Sequence, residues 1–579
     1  MKRFVLWLSL VVVGCVWSEV PAWSKPFKVD VLARGSVTRG ANGMRFDSHD
    51  HLYVASFLGR EILVLDPDRG RVLDRIPRPF ETPDDLAFGP DGSLYWTSLL
   101  TGVVAHRTPD GGVTTEPVGI SPNSVAVSAD GHVYVGECLG AGGSGLYELD
   151  PDLAAPPRLI TDALGVGCSV NGMDVAADGW LYGPRWFAGD IVRIDPADGA
   201  FEVVATGFTT PGAAKLGPDG ALYVVDYGNG EVVRVDLGTG DRRVLAQLRP
   251  GIDNLAFDSR GHLFVSHAVD SEIVEIRSGG SVRVVSPGGM IAPGGLAVTE
   301  TTAGEESLWV ADAYDLTELD PCGGEVGDVE LTGQGGAALT QPQTVSADGQ
   351  NLIVSSWLEN KVQVWDPAQH RVLLEVPTFA LPANAIRFDG DLIVAEILTG
   401  SVVRADGDDP SIRQTLISGL GLPAGLAATD DDLWVADWAT GDVWQVISDG
   451  TTLAAPVRVA GALLGPEGMA VDDQENLLVV EAAAGRLLRV HHGSGQVEVV
   501  ADHLDLGVEA LPGFVPTWFF NGVTVAPDQT IYVAGDRGRV VYRVGHDAAS
   551  THPSQACGAG HGGHGHGHGG HGHGSHHHP

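Results

Sequence analysis

The chain is poor in cysteine and in positive charge. Five cysteines occur in 579 residues and none forms a C-x-x-C pair, which argues against a cysteine zinc site or a thioredoxin-like redox motif. Lysine and arginine number 35 against 74 aspartates and glutamates, a formal charge of −39. Nucleic acid is therefore not an expected partner, because its phosphates are bound by clustered basic side chains.

Apolar runs long enough to cross a bilayer are also lacking, so no transmembrane span is expected. The most apolar stretch, residues 4–13, follows Lys2 and Arg3, and small residues near position 22 offer a cleavage site. This pattern predicts a signal peptide over residues 1–24 and an exported protein, periplasmic or extracellular. The four residues that end at Cys15 (VVGC) also resemble a bacterial lipobox, so a lipoprotein anchored through Cys15 remains an alternative.

Glycine and proline, in contrast, are plentiful, with 79 and 34 residues. A segment that roughly follows the form apolar–Ala–Val–x–x–Asp–Gly–x–Leu–Tyr–Val–Ala–Asp recurs twelve times, as at residues 86–97, 125–136 and 426–437. Most repeats are 39 to 43 residues apart. A period near 40, built from short strands and Gly/Asp turns, indicates an all-β protein of β-propeller type with one four-stranded blade per repeat.

The strand count predicts two tandem six-bladed propellers. Each repeat supplies strands a, b and c, and a fourth strand d follows all but the last; one extra d-like strand precedes the first repeat at residues 27–33. Known propellers hold four to eight blades, so twelve blades divide into six plus six, with seven plus five as the alternative. We expect residues 25–279 to form the first propeller and 280–548 the second. Strand 27–33 would then close the first ring and strand 281–286 the second.

The repeats resemble those of NHL-repeat and gluconolactonase-like (senescence marker protein) six-bladed propellers. The resemblance rests on residues 171–175 (NGMDV) with 178–182 (DGWLY), and on residues 345–349 (VSADG) with 352–354 (LIV). Gluconolactonase-like enzymes surround a divalent metal with an acid on blade one, asparagines on blades three and four, and an aspartate on blade five. Asn123 and Asn171 match the two asparagines, whereas Asn42 and Gly212 replace the two acids.

In such propellers, the residue two positions before each repeat's first apolar residue should line the channel mouth. In the first propeller this inner ring is Asn42, Asp84, Asn123, Asn171, Gly212 and Asp253. Carboxylate and amide oxygens suit a hard cation. We therefore predict a Ca²⁺ or Zn²⁺ site with the ligands Asn42, Asp84, Asn123, Asn171 and Asp253. The same side chains also suit Asx-turns, which is the structural alternative.

The ends of the b strands should form a second ring on the same face. Glu137 and Arg185 are the candidate substrate-binding residues there, Arg185 for an anionic group. Asp226, Asp253 and His267 are the candidate catalytic residues, as general bases or additional ligands. In the second propeller, the inner ring is poor in ligands (Gly294, Gln343, Ala383, Ala424, Glu467, Asn521). Its b-strand acids, Asp312, Glu396, Asp437 and Glu481, are expected to brace the following turn.

Two further features lie outside the rings. Cys138 follows a b strand and Cys168 precedes the next a strand on the same predicted face, so we expect a disulfide between them. Residues 549–579 form a tail expected to be disordered, almost entirely Gly and His from residue 558. Its histidines, including His564, His566, His568, His571 and His573, are predicted to bind Ni²⁺, Cu²⁺ or Zn²⁺.

These patterns favour an exported protein that binds a small-molecule ligand or a protein partner at a channel face, with a divalent cation in the first propeller. Two alternatives stay open. One is a metal-dependent lactone hydrolase of the type that the family resemblance implies. The other is an envelope metal-binding protein that acts through its His-rich tail.

Overall fold

The computed structural model describes residues 27–78, 80–138, 144–301, 304–332, 337–511, 517 and 519–545. The predicted signal peptide, the lipobox at Cys15 and the His-rich tail lie outside these residues. Within them, forty-eight strands form twelve four-stranded antiparallel sheets, which confirms the all-β prediction of twelve blades. Among the described residues, no helix has the length and apolar character needed to cross a membrane.

The strands follow one another with few interruptions. The first strand, β1, is Lys28–Arg34. The strands of the first propeller are, in chain order, β2 (Ala41–Phe46), β3 (Leu52–Ser56), β4 (Glu61–Asp66), β5 (Arg71–Pro77), β6 (Pro83–Phe88), β7 (Leu94–Ser98), β8 (Val103–Arg107), β9 (Val113–Pro117), β10 (Pro122–Val127), β11 (Val133–Glu137), β12 (Leu146–Leu149), β13 (Arg158–Thr161), β14 (Asp174–Val175), β15 (Leu181–Arg185), β16 (Asp190–Ile194), β17 (Phe201–Thr206), β18 (Pro211–Leu216), β19 (Leu222–Asp226), β20 (Glu231–Val235), β21 (Arg242–Gln247), β22 (Ile252–Phe257), β23 (Leu263–His267), β24 (Ile273–Ile276) and β25 (Val282–Ser286).

The second propeller repeats this order. Its strands are β26 (Leu296–Glu300), β27 (Glu306–Ala311), β28 (Asp315–Leu319), β29 (Val326–Leu331), β30 (Thr344–Asp348), β31 (Asn351–Ser356), β32 (Lys361–Asp366), β33 (Arg371–Val376), β34 (Pro382–Phe388), β35 (Asp391–Glu396), β36 (Ser401–Ala405), β37 (Arg413–Ser418), β38 (Pro423–Ala428), β39 (Leu433–Asp437), β40 (Asp442–Ser448), β41 (Thr451–Ala460), β42 (Pro466–Val471), β43 (Leu477–Glu481), β44 (Arg486–Val490), β45 (Val497–Ala501), β46 (Val523–Val525), β47 (Ile531–Gly535) and β48 (Val540–Gly545). A single 3₁₀ turn, Ala482–Ala484, follows β43.

Contacts between the innermost strands show where each ring closes. In the first propeller, β2 packs against β6 on one side and β22 on the other. In the second, β26 packs against β30 and β46 in the same way. The division is therefore six plus six, and the seven-plus-five alternative is wrong.

The closing strands differ from the expectation. Strand β25, expected to complete the second ring, pairs with β24 in the sixth blade. Strand β1, expected to complete the first ring, pairs with β48 in the last blade, with Val29 opposite Val544. A local hairpin explains the first pairing: Arg277 N and Ser281 O bond across a tight turn (2.8 Å), and short loops cost little closure entropy. The whole first propeller is consequently an insertion between two strands of the second.

The two connections of this insertion run side by side. Ser36 N donates to Met290 O (2.9 Å), and Gly35 N donates to Arg539 O (2.7 Å). A Cβ atom at Gly35 would stand only 1.9 Å from Met290 O. Glycine is therefore required here, because any larger residue would push the two connections apart.

Apolar layers between neighbouring blades form the core. Strand alternation sends one set of side chains to each neighbour; between the first two blades these include Ile62, Leu86 and the fully buried Trp96. Outer strands such as β5 are largely exposed. In six repeats an Asp-Gly pair makes the turn between strands a and b. At one of them Gly92 adopts φ +88° and Asp91 accepts a bond from Ser93 N.

The two propellers meet through the faces on which the b strands end. Phe57 and Leu58, which follow β3, and Leu100, which follows β7, join an apolar cluster that includes Trp357 and Trp438 of the second propeller. The two channel mouths therefore face each other, and each propeller covers the predicted site face of the other.

The insertion can be tested with two fragments of nearly equal length. Residues 35–289 contain all four strands of each of six blades, whereas residues 27–279 contain β1 but lack β25. We expect the first fragment to unfold cooperatively and the second to melt at least about 10 °C lower, because losing β25 uncovers apolar side chains and the edge of β24. Thermal circular dichroism measures this. Equal or greater stability of residues 27–279 would contradict the strand pairing.

Candidate functional site

Three of the predicted inner-ring residues are joined by hydrogen bonds at the mouth of the first channel. Asp84, on β6, accepts bonds from the side-chain amides of Asn42 (Nδ2, 3.0 Å) and Asn123 (Nδ2, 2.7 Å). Asp84 and Asn123 are 7 % and 8 % exposed. The three side chains come from the first three blades, because each strand a begins at this mouth.

A second carboxylate, Asp253, lies close to this group from the sixth blade. Burial and the neighbouring Asp253 carboxylate hold the pKa of Asp84 well above its ordinary value. Burial and the nearby Asp85 raise the pKa of Asp253 to about 7. Among the described residues, the Asp253 carboxylate has no hydrogen-bond partner. Two carboxylates, the buried Asp84 and the partly buried Asp253, thus lie side by side, and the nearby Lys215 ammonium offsets only part of the cost of their charges.

The remaining two ring positions contribute less. Asn171 is partly exposed, and its side chain makes no hydrogen bond with any residue the structure describes. Gly212 is buried, and a Cβ atom there would lie 2.7 Å from Asp253 O. The acid that gluconolactonase-like enzymes carry on blade five therefore has no room here without movement of the neighbouring strand.

Deeper in the same channel lies a buried ion pair that sequence reasoning missed. Lys215 Nζ is 3.7 Å from Asp85 Oδ2 and donates to Met173 O (2.9 Å). Both side chains are almost fully buried, with Lys215 only 1 % exposed. Burial, together with the positive charge of Arg45, lowers the pKa of Lys215 to about 8. A lysine inside the otherwise apolar strand β18 was the available signal, but it sits one residue after the repeat's apolar position, not two before it.

The b-strand ends have a shared structural role. Asp226 accepts bonds from Thr209 N and Thr210 N (2.7 Å each), in the loop that leads into strand a of its own blade, and a longer one from Gly228 N in the following turn (3.3 Å). The corresponding side chains of other blades bind the same loop: Ser56, Ser98, Asp312, Glu396, Asp437 and Glu481. The side chains at the b-strand ends therefore stabilise mainly the loop before strand a. The expected contact with the turn after strand b is secondary.

The other predicted chemical residues are also engaged within their blades. Arg185 forms a two-pronged ion pair with Asp190 (2.8 and 2.6 Å). His267 bonds to Pro250 O through Nε2 (2.8 Å) and pairs with Asp270 through Nδ1 (2.8 Å). Glu137 accepts a bond from Tyr147 Oη (3.2 Å). These partners occupy the groups that would have to bind substrate or move a proton.

The second channel holds one buried acid. Glu467 accepts bonds from Asn521 Nδ2 (2.7 Å) and Trp438 Nε1 (3.2 Å), and burial beside Asp536 raises its pKa to about 8. On the neighbouring walls, side chains such as Val345, Leu426 and Met469 help enclose a cavity of ≈ 240 Å³. The channel therefore combines apolar walls with a buried acid and the partly buried Arg387.

Tyr314 of the second propeller covers the mouth of the first channel. Burial raises its pKa, and the carboxylates of Asp84 and Asp253 raise it further. Tyr227 directly follows β19, and its pKa is also raised, by burial and by the nearby Tyr314. The inner ring is therefore enclosed between the propellers.

A disulfide and a cluster of three possible metal ligands lie elsewhere in the molecule. Cys138 and Cys168 form a disulfide that ties the end of β11 to the loop before β14. On the outer strands of the second propeller, His370 Nδ1 lies 3.4 Å from Asp328 Oδ2 and 3.3 Å from Glu330 Oε2. This partly exposed trio is the one group of three His, Cys or acidic residues in the described part of the chain with its ligand atoms within 4.8 Å of one another.

The inner ring fits a divalent cation in the chemistry of its donors. Asn123 Oδ1 is buried and has no hydrogen-bond partner, which is costly unless something else satisfies it. Asp84 and Asp253 supply two negative charges, and a half-turn of the Asn42 amide would present its oxygen. A hard cation such as Ca²⁺ prefers this all-oxygen set.

Replacement of Asp253 by Asn should change how stability depends on pH. The folded carboxyl titrates near pH 7 and the unfolded one near 3.8; the folded chain thus binds more protons in between, and stability falls as pH rises. In EDTA, we expect the free energy of unfolding of Asp253→Asn to match that of the parent near pH 4 and to exceed it by about 3 kcal/mol near pH 8. Urea unfolding measures this, with the exposed Asp430→Asn as control. A difference that does not vary with pH would contradict the burial of this charge.

Removal of Lys215 tests the ion pair. Lys215→Met leaves Asp85 charged and uncompensated, so we expect a loss of about 3–5 kcal/mol in the free energy of unfolding. Asp85→Asn added to Lys215→Met should recover part of it, because no buried charge then remains. A double-mutant cycle in urea measures the coupling. Additive losses would show that the two side chains act independently.

Comparison with known proteins finds similarity over part of the chain. No protein-family model matches the chain. Virginiamycin B lyase from Nocardia farcinica is 32 % identical over 148 residues, 24 % of this chain and 49 % of that protein, so the chain spans about half the length of the curated relative it matches. Virginiamycin B lyase from Staphylococcus aureus is 16 % identical in structure-based alignment, over 49 % of this chain and 96 % of its own, with a TM-score of 0.35. A gluconolactonase from Xanthomonas campestris is 17 % identical over 42 % of this chain and 87 % of its own, with a TM-score of 0.34. The chain, whose own strand pairing makes it a β-propeller protein, is thus similar in sequence to virginiamycin B lyase over part of its length.

Proposed function

We propose that the chain is an exported tandem-propeller binding protein that holds a divalent cation, Ca²⁺ in the first instance, between its two propellers. The ligands would be Asp84, Asp253, Asn123 and Asn42. The observation that carries the proposal is the enclosed ring itself: two adjacent carboxylates with raised pKa values beside an unpartnered buried amide oxygen. A bound cation would offset both the repulsion and the missing hydrogen bond.

The covered faces restrict where a ligand or partner can bind. Since the strand b faces are buried against each other, a protein partner has only the outer faces and rims available. A small polar ligand fits the second channel, whose cavity has apolar side chains beside polar ones that include Arg387 and the buried Thr344 and Glu467. The cation would therefore hold the two propellers together while a different part of the molecule binds the ligand.

Metal analysis of a chain without residues 558–579 tests the cation site. After equilibration with Ca²⁺ or with Zn²⁺ and gel filtration, we expect one tightly held equivalent of Ca²⁺ by mass spectrometry. Asp84→Asn should weaken its affinity by about tenfold or more, because a neutral ligand replaces a charged one. Glu467→Gln, the matched change in the other channel, should leave it unchanged.

The exposed His370 trio needs its own control. Zn²⁺ that is lost on His370→Ala but retained on Asp84→Asn belongs to that surface cluster. No stoichiometric cation in the shortened chain, or binding that Asp84→Asn does not alter, would overturn the proposed site.

A metal-dependent lactone hydrolase is the second candidate function, and one observation favours it. Asp253 has a pKa of about 7 and no hydrogen-bond partner among the described residues, which suits a general base near neutral pH. A bound cation would supply Lewis-acid polarisation of the lactone carbonyl. Against this, Tyr314 covers the ring, and Asp226 and His267 are held by their own blades.

An assay separates the two functions. The test compounds are lactones and virginiamycin B, the compound that appears in the name of the similar lyase. Each would be incubated with the protein in the presence and in the absence of a chelator. Turnover that disappears with EDTA and with Asp253→Asn would establish the enzyme. If the protein binds the cation but turns over none of these compounds, the result would support the binding protein and contradict the enzyme.

The His-rich tail and the export signal complete the proposal. We propose that the tail histidines bind Ni²⁺, Cu²⁺ or Zn²⁺ and that residues 1–24 direct export, with anchoring through Cys15 as the alternative. The chain shortened by residues 558–579 distinguishes tail-bound metal from channel-bound metal, since only the former is lost with the tail.

A further inference from the structure

A cleft of ≈ 350 Å³ lies at the rim where the two propellers meet, away from both channels. Five arginines line it: Arg39, Arg60 and Arg75 from the first propeller, and Arg537 and Arg539 from the second. We call this the arginine cleft. Its acidic lining residues are Glu61 and Glu509, so basic side chains outnumber acidic ones five to two.

This concentration of positive charge is unusual for this chain. The sequence has 35 basic and 74 acidic residues, so a random surface site should be acidic. Five guanidinium groups have instead been brought together from distant parts of the sequence. Insertion of the first propeller makes this possible, because it places the loop before β2 beside the turn between β47 and β48.

Three of these guanidinium groups lack a carboxylate partner. Arg539 Nη1 donates to Val37 O (2.7 Å). Arg39 and Arg537 likewise donate to the backbone carbonyls of Arg537 and Gly507. Within the described residues, no carboxylate oxygen lies within 4.0 Å of these three groups. The Glu61 carboxylate is taken by Arg75.

The arginines also repel one another. Burial and the charge of Arg539 lower the pKa of Arg39 to about 10. The nearby Asp536 and Glu61 carboxylates offset only part of this effect. Burial and the charge of Arg75 likewise lower the pKa of Arg539. Positive charges so placed are costly unless an anion joins them, and the planar guanidinium matches carboxylate and phosphate oxygens in pairs.

We propose that the arginine cleft binds a small polyvalent oxoanion, a di- or tricarboxylate or a phosphate ester, which bridges the two propellers. The cleft volume lies in the range of small-ligand sites, about 300–1,000 Å³. Guanidinium groups from both propellers would bind the same anion, which would strengthen their contact at the rim. The inference does not depend on the cation site, which lies in the channel.

Calorimetric titration of the full chain tests this with two probes, tricarballylate for carboxylates and glycerol phosphate for phosphate esters. Both are weak chelators, so they leave a channel cation in place. At constant ionic strength we expect saturable binding of one anion per chain for at least one probe. Binding of only one probe identifies the anion class.

Arg537→Gln is the informative variant, because the hydrogen bond that its side chain donates is to Gly507 O of its own propeller. Its backbone carbonyl would still accept from Arg39. We expect this substitution to lower the affinity for the anion by about tenfold or more. Arg539→Lys, which keeps the charge but not the paired geometry, should lose less affinity than Arg539→Gln. Arg69→Gln, the same charge change at an exposed site outside the cleft, should have no effect.

Unchanged melting temperature of Arg537→Gln without anion would show that its fold is intact. No saturable binding of either probe would overturn the proposal, as would an affinity that Arg537→Gln leaves unchanged or that Arg69→Gln reduces equally. The result is independent of the metal analysis, since Asp84→Asn should leave anion binding unaltered.

Discussion

Pairing of β1 with β48 is the constraint on which the architecture depends. A propeller whose last blade lacks a strand exposes an open edge, and the second ring is completed only by the first strand of the chain. Because β1 is committed to that ring, residues 41–286 must form a closed ring of their own. They do so with six blades of four consecutive strands, and their two connections lie side by side at Gly35 and Met290.

The face-to-face packing that follows determines where chemistry can occur. Apolar side chains such as Leu58 and Trp357 exclude water from the boundary, so polar groups enclosed there interact more strongly than they would at a surface. The acidic ring lies at the centre of this boundary and the arginine cleft at its rim. Negative and positive charges are thus concentrated at two separate sites of one interface. The acids at the b-strand ends stabilise the loops that form this interface.

The blades and the inner ring could be predicted because both depend on local repeats. Strand alternation is present in each copy and the Asp-Gly turn in half of them. The start of strand a places Asn42, Asp84 and Asn123 at one mouth. Ring closure could not be predicted in the same way, since strands 27–33 and 281–286 have equivalent alternating patterns. The turn around Gly279 and Gly280 decides between them, through a local hairpin. Lys215 was missed because it faces the channel one layer below the ring, and the covering of the ring depends on contacts between distant parts of the chain.

The same insertion has a kinetic consequence for folding during synthesis. The first propeller can fold as soon as β25 has emerged, but β1 has no partner until β48 arrives at the end of the second ring. Pairing across such a separation is slow for an unfolded chain. Once the first propeller is folded, however, its ends are adjacent, and the effective loop that β1 must close is shortened to the second ring alone. The first propeller, which folds first, therefore keeps the unpaired strand β1 near its final position in the last blade. This limits the time during which the exposed edge of β1 could lead to aggregation.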